Sequence, residues 1–179
     1  MNRKAEARAL LPTLVLMAGL PGSGKTTLAL AIGRSQGWPV IDKDTLKSPL
    51  LTLGVSNEIA GPASYELLFE IARDLLVYQH LSVILDSPAG YLIVLEKART
   101  IASQAAAHLK IIMCTASSEL RSQRITTRFI RPSQWDTNIH INEERERQLF
   151  AHLPPDILLL DTAHSLEHCL SLALDYLSQ

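Results

Sequence analysis

The chain has 179 residues, of which 47% are apolar and 20% charged, with 17 Lys and Arg against 18 Asp and Glu. That length suits one domain, and that composition excludes a disordered, collagen-like or coiled-coil chain. A net charge of −1 excludes a generally basic surface for duplex nucleic acid, and two cysteines cannot form a disulfide framework, which points to reduced thiols in the cytoplasm.

Arg3, Lys4 and Arg8 followed by the apolar run 10–20 have the outline of a secretory signal. Pro12 interrupts the run and no Ala-x-Ala pattern follows, so a cytoplasmic protein is expected. No segment reaches the roughly 18 continuous apolar residues of a membrane span. Residues 13–18 (TLVLMA) predict a buried strand ended by glycine, and 26–34 (TTLALAIGR) a helix packed on a sheet. Residues 38–42 (WPVID) predict a second strand. Asp44 then opens a short helix that Pro49 is expected to limit. Residues 62–79 predict an amphipathic helix with Tyr65, Leu68, Ala72, Leu75 and Leu76 on one face. Residues 81–86 (LSVILD) predict an apolar strand ending in a carboxylate, 92–108 a long helix, and 109–114 (LKIIMC) another buried strand. Residues 118–128 predict an arginine-rich helix. The stretch 129–142 lacks a period and reads as a lid or loop. A charged helix at 143–149, a strand at 157–160 and an amphipathic helix at 165–177 complete the chain.

Continuous apolar strands alternating with helices indicate a three-layer α/β/α fold, its parallel sheet covered on both faces. Ligands of such sheets bind beyond the carboxyl ends of the strands. Chemistry is therefore expected at Gly19, residues 42–44, Asp86, Thr115 and Asp161.

Gly19-Leu20-Pro21-Gly22-Ser23-Gly24-Lys25-Thr26 matches the P-loop pattern G-x-x-x-x-G-K-[ST] in full. Its glycines let successive backbone N–H groups curl around a β-phosphate at a helix N-terminus. Lys25 is placed to bridge the β- and γ-phosphates, and the Thr26 hydroxyl to ligate Mg²⁺. Thr27 follows in the same turn. The Asn-Lys-x-Asp and Asp-x-x-Gly motifs of a GTPase are absent, and a motor ATPase usually needs a longer chain. What remains is a small phosphoryl-transfer kinase. Asp86, at the end of a buried strand, reads as a magnesium-orienting acid or as a turn cap. Asp42 reads as a turn aspartate. Arg121, Arg124, Arg128 and Arg131 recur at spacings of three, four and three, which on a helix makes a basic face, solvated or functional.

Four elements together resemble the P-loop kinases related to polynucleotide kinase, chloramphenicol phosphotransferase and the zeta toxins: GLPGSGKTTLA at 19–29, VIDKDTLK at 40–47, SVILDS at 82–87 and ELRSQRITTR at 119–128. The resemblance implies five parallel strands in the order 2-3-1-4-5, in a single domain over 1–179 with an arginine-bearing lid at about 118–142. It implies that Asp44 accepts the proton of an acceptor hydroxyl, the alternative being a cap on its own helix. Lys47 stands where the family has an arginine that holds the acceptor, and Arg131 is a further substrate-side candidate. Arg124 and Arg128 match a pair in which the first lies over the base and the second reaches the transferring phosphoryl group. Asp161 and Thr162 mark the adenine-side loop. The implied activity is transfer of the γ-phosphoryl group of ATP, with Mg²⁺, to a hydroxyl of a small acceptor. The alternatives are a 5′-hydroxyl polynucleotide kinase and a nucleotide-gated binding protein.

Overall fold

The computed structural model describes residues 11–87, 92–128, 131–134, 151 and 153–179. Five parallel strands form one sheet: β1 (Thr13–Ala18), β2 (Val40–Asp42), β3 (Val83–Asp86), β4 (His108–Thr115) and β5 (Leu158–Asp161), in the order β2-β3-β1-β4-β5. The helices between them are α1 (Lys25–Gln36), α2 (Lys43–Thr52), α3 (Asn57–Arg73), α4 (Leu92–Gln104), α5 (Ser118–Thr127) and, after β5, α6 (Leu166–Leu177). This is the three-layer fold and the strand order that the sequence implies. Among the described residues no helix is long and apolar enough to cross a membrane.

β1 shows why its sequence must be apolar throughout. Its side chains alternate between the two faces of the sheet, and both faces are covered. Leu14 and Leu16 join a core with Leu68, Leu76, Leu95 and Ile101 of the α3–α4 side. Val15 and Met17 join a second core with Leu28 and Ile32 of α1 and Ala173 of α6. Tyr65 and Leu75 pack at the edge of the first core while Leu68, Ala72 and Leu76 lie inside it, so the expected face of the third helix is the buried one.

Several element boundaries differ from expectation, three of them for evident reasons. Pro49 lies inside α2, and Pro62 lies inside α3, which begins at Asn57 rather than at the proline. Proline removes the bond to the carbonyl four residues earlier. Pro49, Pro62 and those partners, Thr45 and Glu58, are all exposed, so water solvates the carbonyls and both helices continue. At the other end, α4 stops at Gln104 because the chain turns at Ala106, which has φ 49. His108 then pairs with Thr13 as the first residue of β4. Tertiary pairing overrides local helix preference there.

The register sets the positions of the strand-end carboxylates. Asp42 lies opposite Asp86, and Asp86 opposite Met17, one residue before β1 ends. Asp86 therefore stands beside the strand that feeds the glycine loop, and Asp42 one strand farther out.

Candidate active site

The loop 19–24 runs from β1 into α1. Gly22 has φ 77, and a Cβ there would stand 2.7 Å from the Arg121 carbonyl oxygen. Gly24, the N-cap of α1, has φ 84, and a Cβ there would stand 3.2 Å from the Thr162 side chain. Both positions need glycine for conformation and for space. The Ser23 N–H and the Lys25 Nζ both donate to the Leu20 carbonyl, at 3.1 and 3.0 Å.

A cleft of about 800 Å³ opens where the strands end. Gly19, Pro21, Gly22, Gly24, Lys25, Thr26 and Thr27 line it on the loop side, while Ser23 is buried behind them. Asp86, Asp44 and Lys47 of α2, and Arg131 line it as well. Arg124 and Arg128 also line it. The fold thus brings together the loop residues, Asp44, Lys47, Asp86, Arg124, Arg128 and Arg131, whereas Ser23, Thr115, Arg121 and Asp161 do not line the cleft.

The arginines do not form one helical face, because α5 ends at Thr127 and Arg128 has extended backbone at its C-terminus. Arg121 is buried and donates to the Ala116 carbonyl at 3.1 Å. Arg124 donates to the Gly22 carbonyl at 3.3 Å, to the Thr162 hydroxyl at 2.8 Å and to the Thr162 carbonyl at 2.6 Å. It thereby ties α5 to the glycine loop and to the end of β5. The Nε of Arg128 is buried without a hydrogen-bond partner. Arg131 pairs with Asp42 and donates to the Thr45 hydroxyl at 2.6 Å. The stretch 135–149, including the rest of the expected lid and the expected charged helix, lies outside the described residues.

The two carboxylates of the second strand-to-helix turn divide their work. Asp42 is the N-cap of α2 and accepts the Asp44 N–H at 2.8 Å. The Asp44 side chain does not cap its helix, and its Oδ2 accepts from Gln134 Nε2 at 2.8 Å. Burial alone would raise the Asp44 carboxyl. Lys43 and hydrogen bonds from Gln134, Lys43 and Ser133 outweigh that and hold it below the ordinary carboxylate range.

Asp86 is 3% exposed, and its Oδ2 has no hydrogen-bond partner. Burial pushes its carboxyl above the ordinary value; Lys25 and the Thr26 hydroxyl draw it down, while the charges of Asp42 and Asp44 raise it further. The Lys25 ammonium is lowered by burial, with Asp86 the leading opposing charge. Burial also pushes the Cys114 thiol up to about 12, so it stays protonated at neutral pH.

A pH dependence follows from Asp86. A carboxyl whose folded pKa is raised contributes its full stability below the ordinary carboxylate range and loses it as pH rises through the raised value. The stability of the wild type minus that of Asp86→Asn should therefore decline with rising pH across that interval, in urea unfolding midpoints. A difference that stays flat or climbs contradicts the assignment.

Gln134, Ser133, Ser87, His164 and Cys169 also line the cleft, and the sequence assigns none of them a role in phosphoryl transfer. Ser133 and Gln134 sit in a stretch without periodicity. Ser87 and Cys169 look like ordinary turn and core residues until the fold closes around them.

No curated protein matches the chain. Several solved structures share its fold. A candidate kinase from Chloroflexus aurantiacus J-10-fl has a TM-score of 0.70 and 22% identity, covering 94% of this chain and 97% of that one. A sugar kinase from Janibacter sp. HTCC2649 has a TM-score of 0.64 and 21% identity, covering 93% and 94%. The APS kinase of Mycobacterium tuberculosis, in complex with AMPPNP and APS, has a TM-score of 0.64 and 18% identity, covering 95% and 99%. A family profile described as AAA domain matches residues 14–153, from the first strand past the arginine-bearing helix. That match spans the glycine loop, both strand-end carboxylates and the arginines, and the chain belongs to the AAA domain family.

Proposed function

We propose that this chain is a kinase that transfers the γ-phosphoryl group of ATP to a hydroxyl of a small acceptor, as a single cytoplasmic domain with a lid at about 118–142. The observation that carries this reading is the placement of Asp44. It faces the same cleft as Lys25, is released from helix capping by Asp42, and is kept anionic by its neighbours. A nucleotide-gated binding protein has no use for a carboxylate anchored in this way in the cleft of its phosphate loop. The sugar kinase and the APS kinase that share the fold are named for phosphorylating small molecules, which supports the same class here.

On this reading the backbone N–H groups of 22–27 hold the phosphates, and Lys25 and Arg128 neutralise charge on the transferring group. Arg124 lies at the nucleoside side, with Thr162 fixing its guanidinium. Asp44 takes the proton from the acceptor hydroxyl as its oxygen attacks. Lys47 and Arg131 border the acceptor.

The residues also fit Mg²⁺. Thr26 and the unpartnered, buried Asp86 Oδ2 offer oxygen to a hard cation. Among the described residues no three His, Cys, Asp or Glu side chains gather into a protein-only metal site. This suits an ion held partly by phosphate oxygens. When bound, it shields charge on the β- and γ-phosphates.

A small acceptor is favoured over a nucleic-acid end because the net charge of −1 offers no generally basic surface for a polyanion. Within small P-loop kinases we place the chain with the polynucleotide kinase, chloramphenicol phosphotransferase and zeta-toxin group, on Asp44, Lys47 and the Arg124–Arg128 pair. The test is ADP release from ATP and Mg²⁺, alone, with pooled hydroxyl-bearing metabolites and with 5′-hydroxyl oligonucleotides. Release is expected to rise with the metabolites only. Tight ATP binding with no stimulated release would overturn the reading.

A further inference from the structure

The acceptor wall is assembled from two segments far apart in the chain. Residues 131–134 lie across the N-terminal part of α2 and bond to it at three places. Arg131 pairs with Asp42 and donates to Thr45, the Ser48 and Ser133 hydroxyls stand 3.1 Å apart, and Gln134 Nε2 donates to Asp44 Oδ2 at 2.8 Å. The first two contacts tether the strap. The third reaches the group that the kinase reading makes the base.

Two features give that third bond a direction. Gln134 Oε1 accepts the Arg131 backbone N–H at 3.4 Å, so the amide oxygen is turned to the strap and the nitrogen to Asp44. Asp44 Oδ1 has the longer 3.3 Å contact with Lys43 Nζ, and that ammonium also lies 5.5 Å from the centre of the Tyr65 ring. An amide N–H fixes a carboxylate without cancelling its charge and without offering it a proton.

We propose that Gln134 is the positioning residue of the acceptor site, clamping Asp44 Oδ2 so that the free lone pairs of the carboxylate face the incoming hydroxyl. This rests on the reading of the chain as a kinase with Asp44 as base. The proton leaves the acceptor oxygen for Asp44, a new bond forms from that oxygen to the γ-phosphorus, and the bond to the ADP oxygen breaks. Gln134 exchanges no atom.

The charged groups that share the cleft with Asp44 are Lys43 and Asp42 beside it, Lys47 on α2, Lys25 on α1, Asp86 on β3, Arg124 on α5, Arg128 after it and Arg131 on the strap. All are left in place by Gln134→Met, which removes the donor and keeps the side-chain length. Two readouts on the full chain decide the matter. The first is the pH titration of the Asp44 carboxyl carbon by NMR, assigned by its disappearance in Asp44→Asn. The second is ADP release from ATP and Mg²⁺ with water as acceptor, followed against pH.

In Gln134→Met the Asp44 midpoint should move up, and the acid limb of the turnover profile should move to higher pH with it. Turnover at neutral pH should fall about tenfold with the KM for ATP changed less than about twofold, since a neutral-pH carboxylate is still ionised and has lost only its orientation. A midpoint that stays in place in Gln134→Met overturns the proposal, whatever the turnover. If Asp44→Asn turns over ATP as fast as wild type, the base reading itself falls and this proposal with it. The two failures are told apart by which variant is silent.

Discussion

Lys25→Ala is expected to lower ATP turnover by about 10³-fold, the cost of removing one charged group aimed at developing phosphate charge in a partly dehydrated site. Lys25 is the cation at the centre of the glycine loop, its Nζ held on the Leu20 carbonyl at 3.0 Å, and Arg124 is already committed to Gly22 and Thr162. The fold should survive, because α1 is anchored by Leu28 and Ile32 rather than by the lysine. The loss should therefore appear in ADP release and in calorimetric ATP affinity while thermal unfolding without nucleotide changes little. Asp86 should respond as well. Lys25 is the leading influence holding its carboxyl down, so the variant should raise the Asp86 titration further. Turnover within about tenfold of wild type would contradict this account of the loop.

Asp44→Asn is expected to separate binding from transfer. The asparagine oxygen can still accept from Gln134, and the cap of α2 belongs to Asp42, so the wall keeps its shape. ATP affinity should stay within about threefold of wild type, while acceptor-stimulated transfer falls by about 10²- to 10⁴-fold, the range that general-base catalysis supplies. The measurement is a pair: ATP titration by calorimetry and initial rates of ADP release with the pooled acceptors. Transfer that persists would remove Asp44 from the reaction. Lost affinity would instead make it part of the nucleotide site.

How much of this was legible in the sequence depends on how local each feature is. The phosphate loop occupies eight consecutive residues, so its chemistry can be read without knowing the fold. The buried strands are legible for a related reason: with both sheet faces covered, β1 and β3 must be apolar at successive positions. Asp86 is legible because a single carboxylate closes such a run. By contrast, Asp42 and Asp44 are two acids in one turn, and only the backbone geometry shows that the first takes the capping role. The arginines read as one stripe because a spacing of three or four assumes a continuing helix, and α5 ends at Thr127. Gln134 was illegible altogether. Its meaning comes from a bond across 90 residues, and no period or composition marks it.

The most direct measurement follows the γ-phosphoryl group itself. The full chain is incubated with Mg²⁺ and ATP labelled in that group, together with pooled hydroxyl-bearing metabolites, and the label is located by chromatography and mass spectrometry. The account predicts label in an organic phosphate monoester whose formation is lost in Asp44→Asn. Label found only in inorganic phosphate, with the acceptors untouched, would contradict it.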